Sequence, residues 1–198
     1  MTTAVATKNR LALVAQPFDG LAVFERQRQA DTRGYFSRIF CAEEVAAASG
    51  APFAVAQANH SMTARRGSVR GLHYQRPPNA ERKFVSCLRG AVFDVVVDLR
   101  RGSPTFLRWH GEVLSRENGR ALLVPEGCAH GFQTLEDDTE LLYLHTRAYA
   151  AEAEGGLGAL DPALAIAWPL PFADVSERDR GHPFLKPVFA GLDVSATA

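Results

Sequence analysis

The residues best suited to chemistry begin with His73, in the run Ser68-Val69-Arg70-Gly71-Leu72-His73-Tyr74-Gln75, followed ten residues later by Lys83. Val69, Leu72 and Tyr74 favour extended structure, and side chains on a strand alternate between its faces. Strict alternation puts Arg70, Leu72 and Tyr74 on one face and Gly71, His73 and Gln75 on the other. Proton abstraction beside a carbonyl needs a base that titrates near neutrality and a cation or donor for the developing enolate. Histidine and a lysine on the next strand fit those two roles. Asp179, in Ser176-Glu-Arg-Asp179, has the chemistry to orient such a histidine and raise its basicity. Tyr143 shares a strand face with Leu141 and His145, and a phenol there can return a proton or hold an oxyanion. Arg33, Arg70 and Arg82, with Gln57 and Asn59, are donors of the kind that clamp a phosphate. Taken singly, each also has a structural reading: a hydrogen-bonded core histidine, a helix cap, a core tyrosine, solvated lysine and arginines.

The elements that must position these groups follow from the punctuation of the chain. Turn signals recur every eight to twelve residues or so, among them Asp31-Thr-Arg-Gly34, Arg76-Pro-Pro-Asn79, Glu117-Asn-Gly119 and Pro125-Glu-Gly127. Strand-like runs lie between them, at 21–27, 53–61, 83–87, 91–98, 108–113, 121–124, 131–135 and 140–146. Short strands at that spacing predict an antiparallel sandwich or barrel. The run 42–49, Ala-Glu-Glu-Val-Ala-Ala-Ala-Ser, stopped by Gly50, predicts one helix. From about Gly155 the chain turns Pro- and Ala-rich, which predicts an arm wrapped around the same domain rather than a second one.

Composition narrows the classes further. The 198 residues suffice for one domain with a sizeable core, and 46% hydrophobic with 22% charged residues is ordinary globular composition. Lys plus Arg equals Asp plus Glu at 22 each, so no global basic field points to nucleic acid. Apolar runs are too short to span a bilayer, and Met1 to Lys8 lacks the apolar region of a secretory signal. Cys41, Cys87 and Cys128 stand at no metal-like spacing, which reads as reduced thiols in a cytoplasmic protein. No His-x-His occurs, so no ligand spacing supports a metal, although His60, His73, His130 and His145 could still converge on folding.

A set of segments, in order, carries a resemblance to a known family. They are Asp31-Thr-Arg-Gly-Tyr-Phe36, Gln57-Ala-Asn-His-Ser61, Arg70-Gly-Leu-His-Tyr-Gln75, Lys83-Phe-Val-Ser-Cys87, Val92 to Arg100, Ser103-Pro-Thr-Phe106, Val124-Pro-Glu-Gly127, Ala129-His-Gly-Phe132, Leu142-Tyr143 and Ile166-Ala-Trp-Pro169. Together they resemble the nucleotide-sugar 3,5-epimerases, over about residues 10 to 185. The resemblance implies an all-β fold, a double-stranded β-helix or cupin-like jelly roll, working without metal or cofactor. It implies one domain over 1–198, with an N-terminal dimerisation arm at about 1–35 and a C-terminal arm at about 155–198. A homodimer with exchanged N-terminal strands acting on a nucleotide sugar follows from it.

Carried residue by residue, the resemblance makes His73 the base beside the C4 ketone and Asp179 its partner. Lys83 then stabilises the enolate and Tyr143 returns a proton from the opposite face. Arg70, Gln57 and Asn59 line the diphosphate region, Arg33 reaches over from the partner subunit, and Phe36 and His130 are further substrate-binding residues. The chain departs from the pattern at Arg38, Leu123 and Leu144, positions where the family commonly has glutamate, an aromatic residue and lysine. Those departures leave room for a different nucleotide sugar or inversion at a single carbon. A ketoisomerase of the same barrel type, a metal-dependent cupin and an inactive sugar-nucleotide binder are the competing classes.

Overall fold

The computed structural model describes residues 10–195, so the stretch Met1 to Lys8 lies outside the described residues. Fourteen strands and two helices occur in this order: β1 Leu11–Phe18, β2 Leu21–Arg26, β3 Arg28–Asp31, β4 Gly34–Ser37, α1 Ala42–Ser49, β5 Gln57–Thr63, β6 Ser68–Gln75, β7 Lys83–Arg89, β8 Ala91–Asp98, β9 Trp109–Ser115, β10 Arg120–Val124, β11 Cys128–Thr134, β12 Thr139–His145, β13 Glu154–Gly156, β14 Asp174–Val175 and α2 Glu177–Arg180. Two antiparallel sheets face each other, ordered β1-β2-β10-β7-β12-β5 and β13-β6-β11-β8-β9, with β14 added parallel to β6. This is the antiparallel sandwich expected from the strand spacing, in the jelly-roll form that the family resemblance implies. The largest displacement of an expected boundary is at β5, because pairing with β12 starts at Gln57 opposite His145 while Phe53 packs among buried side chains. The mostly exposed edge strand β1 was not expected from residue pattern.

Alternation explains the layers. Val23, Val85, Cys87, Leu122 and Leu141 of the first sheet meet Val92, Val96, Leu114 and Phe132 of the second in the central core. The outward side chains are covered as well. Phe24, Phe84 and Leu123 pack with Val45 of α1 and with Phe53. Leu72, Tyr74, Val95 and Val97 pack beneath the C-terminal arm, which contributes Leu157, Leu164, Trp168 and Phe189. With both faces covered, β8 and β11 are buried along nearly their whole lengths, so β8 runs mostly apolar rather than alternating, while β11 buries His130, Gln133 and Thr134 as well. In α1, three alanines in a row and acidic residues in the first turn favour the helix, and Gly50 ends it in the left-handed region at φ 71°.

One register irregularity matters for the site. His130 pairs with His73 and Phe132 with Arg70, so β6 carries one extra residue between the two pairs. Such a bulge reverses the alternation on one side of itself. Arg70 and His73 consequently line the same cavity, correcting the strict alternation that set them on opposite faces. Gly71 occupies the bulge at φ 115°, and a Cβ there would lie 2.6 Å from the Gly131 Cα. Gly71→Ala is therefore expected to destabilise the fold by at least about 2 kcal/mol, seen as a Tm lower by roughly 4–8 °C in thermal unfolding followed by circular dichroism.

Candidate active site

The inner faces of both sheets turn polar at one end of the sandwich, around a cavity of about 490 Å³. The second sheet contributes Arg70 and His73 from β6 and His130 from β11. The first sheet contributes Lys83 from β7, Tyr143 and His145 from β12, and Asn59 and Ser61 from β5. Asp179 and Arg178 of α2 close one side. Lys83 thus stands across the sandwich from His73 rather than on a strand paired with it, although β7 is the next long strand in sequence. A larger concavity of about 690 Å³ lies beneath the C-terminal arm, but His73, Lys83 and Tyr143 do not line it.

His73 Nε2 donates to Asp179 Oδ1 at 2.8 Å, and the Gly71 amide donates to the other carboxylate oxygen at 3.0 Å. In the neutral ring this leaves Nδ1 with the lone pair a base requires. Burial pushes the Asp179 carboxyl up, yet the His73 and Gly71 hydrogen bonds overcome it and hold the group at about 2. Asp179 is buried within α2, where Ser176 caps its amide, so it is more than a surface cap. His182 stands edge-on to His73 at 5.4 Å, and burial lowers its pKa.

Across the cavity the Tyr143 hydroxyl lies 3.2 Å from Ser61 Oγ, and burial raises the phenol pKa well above its ordinary value. Such a phenol stays protonated and available as a donor. Glu81 pairs with Lys83 at 3.3 Å and accepts from His145 Nδ1 at 2.9 Å. His130 donates from Nε2 to both oxygens of fully buried Asp94, at 2.8 and 3.0 Å. Ser61, Glu81, Asp94, His145, Arg178 and His182 were not singled out as site residues from sequence. Of these the sequence reading touched only His145, which shares a strand face with Tyr143.

Several expected residues do other work in the single chain. Arg33 is exposed and paired with Asp31, and Phe36 is exposed beneath Arg10; both belong to the β3–β4 hairpin, away from the cavity. Gln57 bonds to Asn59 and to the Tyr149 amide at the rim. Arg82 does not line this cavity and instead bonds to Ser49 at the end of α1 and to Ala51 and Pro52 beyond it. Gln75 is spent on loop backbone at Asn79, Ala148 and Ala150. Leu123 and Leu144 face the outer cluster, and Arg38 pairs with Glu44 at 2.7 Å. The cysteines are free, with burial pushing Cys87 up to about 11 and Cys128 up to about 12. Among the described residues, one set of side chains is close enough to hold a cation: His73, Asp179 and His182, whose ligand atoms lie within 4.8 Å of one another. Two of these form the hydrogen-bonded dyad, which a cation would have to displace.

Because the Asp179 pKa is depressed below 3.8, its contribution to stability is complete above the unfolded value and lost as pH falls from about 4 toward about 2. The stability gap between the parent and Asp179→Asn, measured by urea unfolding, is expected to narrow by about 1 kcal/mol between pH 5 and pH 3.

Residues 15–187 match the family model for dTDP-4-dehydrorhamnose 3,5-epimerase. A Sinorhizobium fredii dTDP-4-dehydrorhamnose 3,5-epimerase is 48% identical over 156 residues, 78% of this chain and 80% of the relative. A Streptomyces niveus dTDP-4-dehydrorhamnose 3-epimerase is 43% identical over 82% of this chain and 78% of its own. The crystal structure of the Legionella pneumophila dTDP-6-deoxy-D-glucose-3,5-epimerase in complex with dTDP-4-keto-L-rhamnose superposes with a TM-score of 0.85 at 38% identity, covering 90% of this chain and 94% of that one. The chain belongs to the dTDP-4-dehydrorhamnose 3,5-epimerase family.

Proposed function

We propose that this protein inverts C3 and C5 of a nucleotide-linked 4-keto-6-deoxyhexose, with dTDP-4-keto-6-deoxyglucose as substrate. The observation that carries the reading is the cavity between the sheets, with the His73–Asp179 pair on one wall and the protonated Tyr143 phenol on the other. The C4 ketone makes its neighbouring C–H bonds acidic. His73 Nδ1 takes the proton, Lys83 stabilises the negative charge that moves to O4, and Tyr143 delivers a proton to the opposite face of the carbon. Removal from one side and return from the other gives inversion, and electrons stay in the C–C–O framework throughout. Asp179 keeps the His73 ring oriented and stabilises its protonated form.

Arg70 and Arg178 bring positive charge to the rim for the diphosphate, with Asn59 and His130 as further donors. Gln57 lies beside them. Arg33 and Phe36 complete the nucleotide site from a second subunit, in a homodimer that would be expected to sediment at about twice 21.5 kDa. Support for that assembly comes from the exposed Leu13 and Val14 on edge strand β1 and from exposed Phe36. Residues 1–198 then act as a single cupin-like domain in the cytoplasm. No helix of the described residues is long and apolar enough to cross a membrane.

Incubation with dTDP-4-keto-6-deoxyglucose in D₂O tests the reading. Deuterium is expected at both C3 and C5, whereas label at one carbon alone establishes a single-carbon epimerase. His73→Asn is expected to lose exchange at both carbons by roughly 10²–10⁴-fold. Tyr143→Phe is expected to keep exchange and lose inversion. Unchanged exchange in His73→Asn excludes it as the base.

A further inference from the structure

The Lys83 wall contains a pair of residues that the proposed mechanism does not use. Lys83 and His145 lie directly opposite each other across the β7–β12 ladder. Glu81, two residues before Lys83, reaches both at once: Oε1 pairs with Lys83 Nζ at 3.3 Å and Oε2 accepts from His145 Nδ1 at 2.9 Å. All three side chains are about nine-tenths buried. His145 Nε2 in turn lies 3.3 Å from the Asn59 amide nitrogen, and the ring stacks on Tyr143 with centroids 6.2 Å apart and planes 28° apart. Since Asn59 donates through that nitrogen, Nε2 is the acceptor and the ring proton sits on Nδ1, directed at Glu81. One carboxylate therefore fixes the position of the lysine and the orientation of the ring beside the tyrosine.

We infer that Glu81 and His145 are positioning residues that hold Lys83 and Tyr143 in a common register, so that enolate formation and reprotonation occur on opposite faces of one substrate carbon. This rests on the roles assigned above to Lys83 and Tyr143. The physical reason is the sensitivity of proton transfer to placement. A displacement on the order of 1 Å can cost about 10²-fold in rate, and oriented partners of reacting groups are typically worth 10–100-fold. Without the Glu81 charge, Lys83 would keep Asp94, which already feels its positive charge from the second sheet, as its remaining nearby carboxylate. The lysine would then be drawn away from β12, and the His145 ring would lose the bond that sets its plane.

The predicted signature differs from simple loss of folded protein. When the phenol is misplaced, the proton abstracted by His73 exchanges with solvent and returns to the face it left. Deuterium then enters without inversion, so the ratio of exchange to inversion rises. A variant that is only partly folded loses both in proportion and leaves the ratio unchanged.

The experiment compares Glu81→Gln, His145→Phe and Lys83→Ala with the parent, using dTDP-4-keto-6-deoxyglucose in D₂O. Thermal unfolding of each variant serves as the folding control. Glu81→Gln is expected to lower kcat by roughly 10–100-fold with KM changed less than about threefold, and to raise the exchange-to-inversion ratio. His145→Phe keeps a stacked ring without its hydrogen bonds and is expected to change the ratio in the same direction, by a smaller factor. The inference is overturned if both variants keep the parental ratio, whatever their overall rates, while Lys83→Ala loses at least about 10²-fold. Parental activity in Lys83→Ala would instead remove the mechanism on which the inference stands.

Discussion

The contact on which the site depends is the reach of Asp179 from the C-terminal arm into strand β6. One carboxylate oxygen takes the His73 ring proton and the other takes the amide of Gly71, the residue that forms the bulge. The same side chain thus fixes the His73 ring, satisfies a backbone donor exposed by irregular pairing, and pins α2 to the sheet. Burial by itself works against an ionised carboxylate there, and two charge-assisted hydrogen bonds reverse the balance. A neutral asparagine would fill the space but could not oppose the positive charge that His73 acquires on abstracting a proton.

The rest of the pocket repeats that solution. A sandwich whose inner faces are polar at one end must satisfy every buried donor and acceptor, or lose stability for each one left unpaired. Here histidines are matched with carboxylates inside the pocket, His73 with Asp179, His130 with Asp94 and His145 with Glu81, and at its exposed rim His60 with Glu140. His130–Asp94 and His145–Glu81 each tie neighbouring segments of one sheet, and His73–Asp179 ties the arm to β6. At the other end of the same inner faces, valines, leucines and Phe132 close the core. Catalytic placement and packing are therefore two halves of one pattern of alternating side chains.

Much of this was legible in the sequence, for identifiable reasons. Turn residues at regular spacing revealed most of the strands. The helix at 42–49 announced itself through alanine content and the glycine after it. His73, Lys83, Tyr143 and Asp179 were legible as chemical types, and all four line one cavity. The partner arrangements were not legible, because they depend on register. Arg70 joined His73 only through an extra residue in β6 that no local pattern signals. Arg82 had the right chemistry for a phosphate but lay on the outside, where it holds the end of α1 and lies over Phe53. Glu81 precedes its strand, so alternation said nothing about its inward reach.

The departures at Arg38, Leu123 and Leu144 can now be weighed against the cavity wall. Leu123 and Leu144 pack with Phe24, Phe84 and the α1 side of the first sheet, so neither touches the space a sugar would fill. Arg38 neutralises Glu44, whose two oxygens also receive the Arg10 and Leu11 amides at the start of β1. Its charge is committed to anchoring the N-terminal strand. Direct control of the reacting carbon must therefore come from residues that do line the cavity. On the Lys83 wall these are the groups ordered by Glu81, from Lys83 through His145 to Tyr143. If Lys83 holds O4 as proposed, selection between one carbon and two becomes a question of how far that wall lets the sugar turn between successive proton transfers.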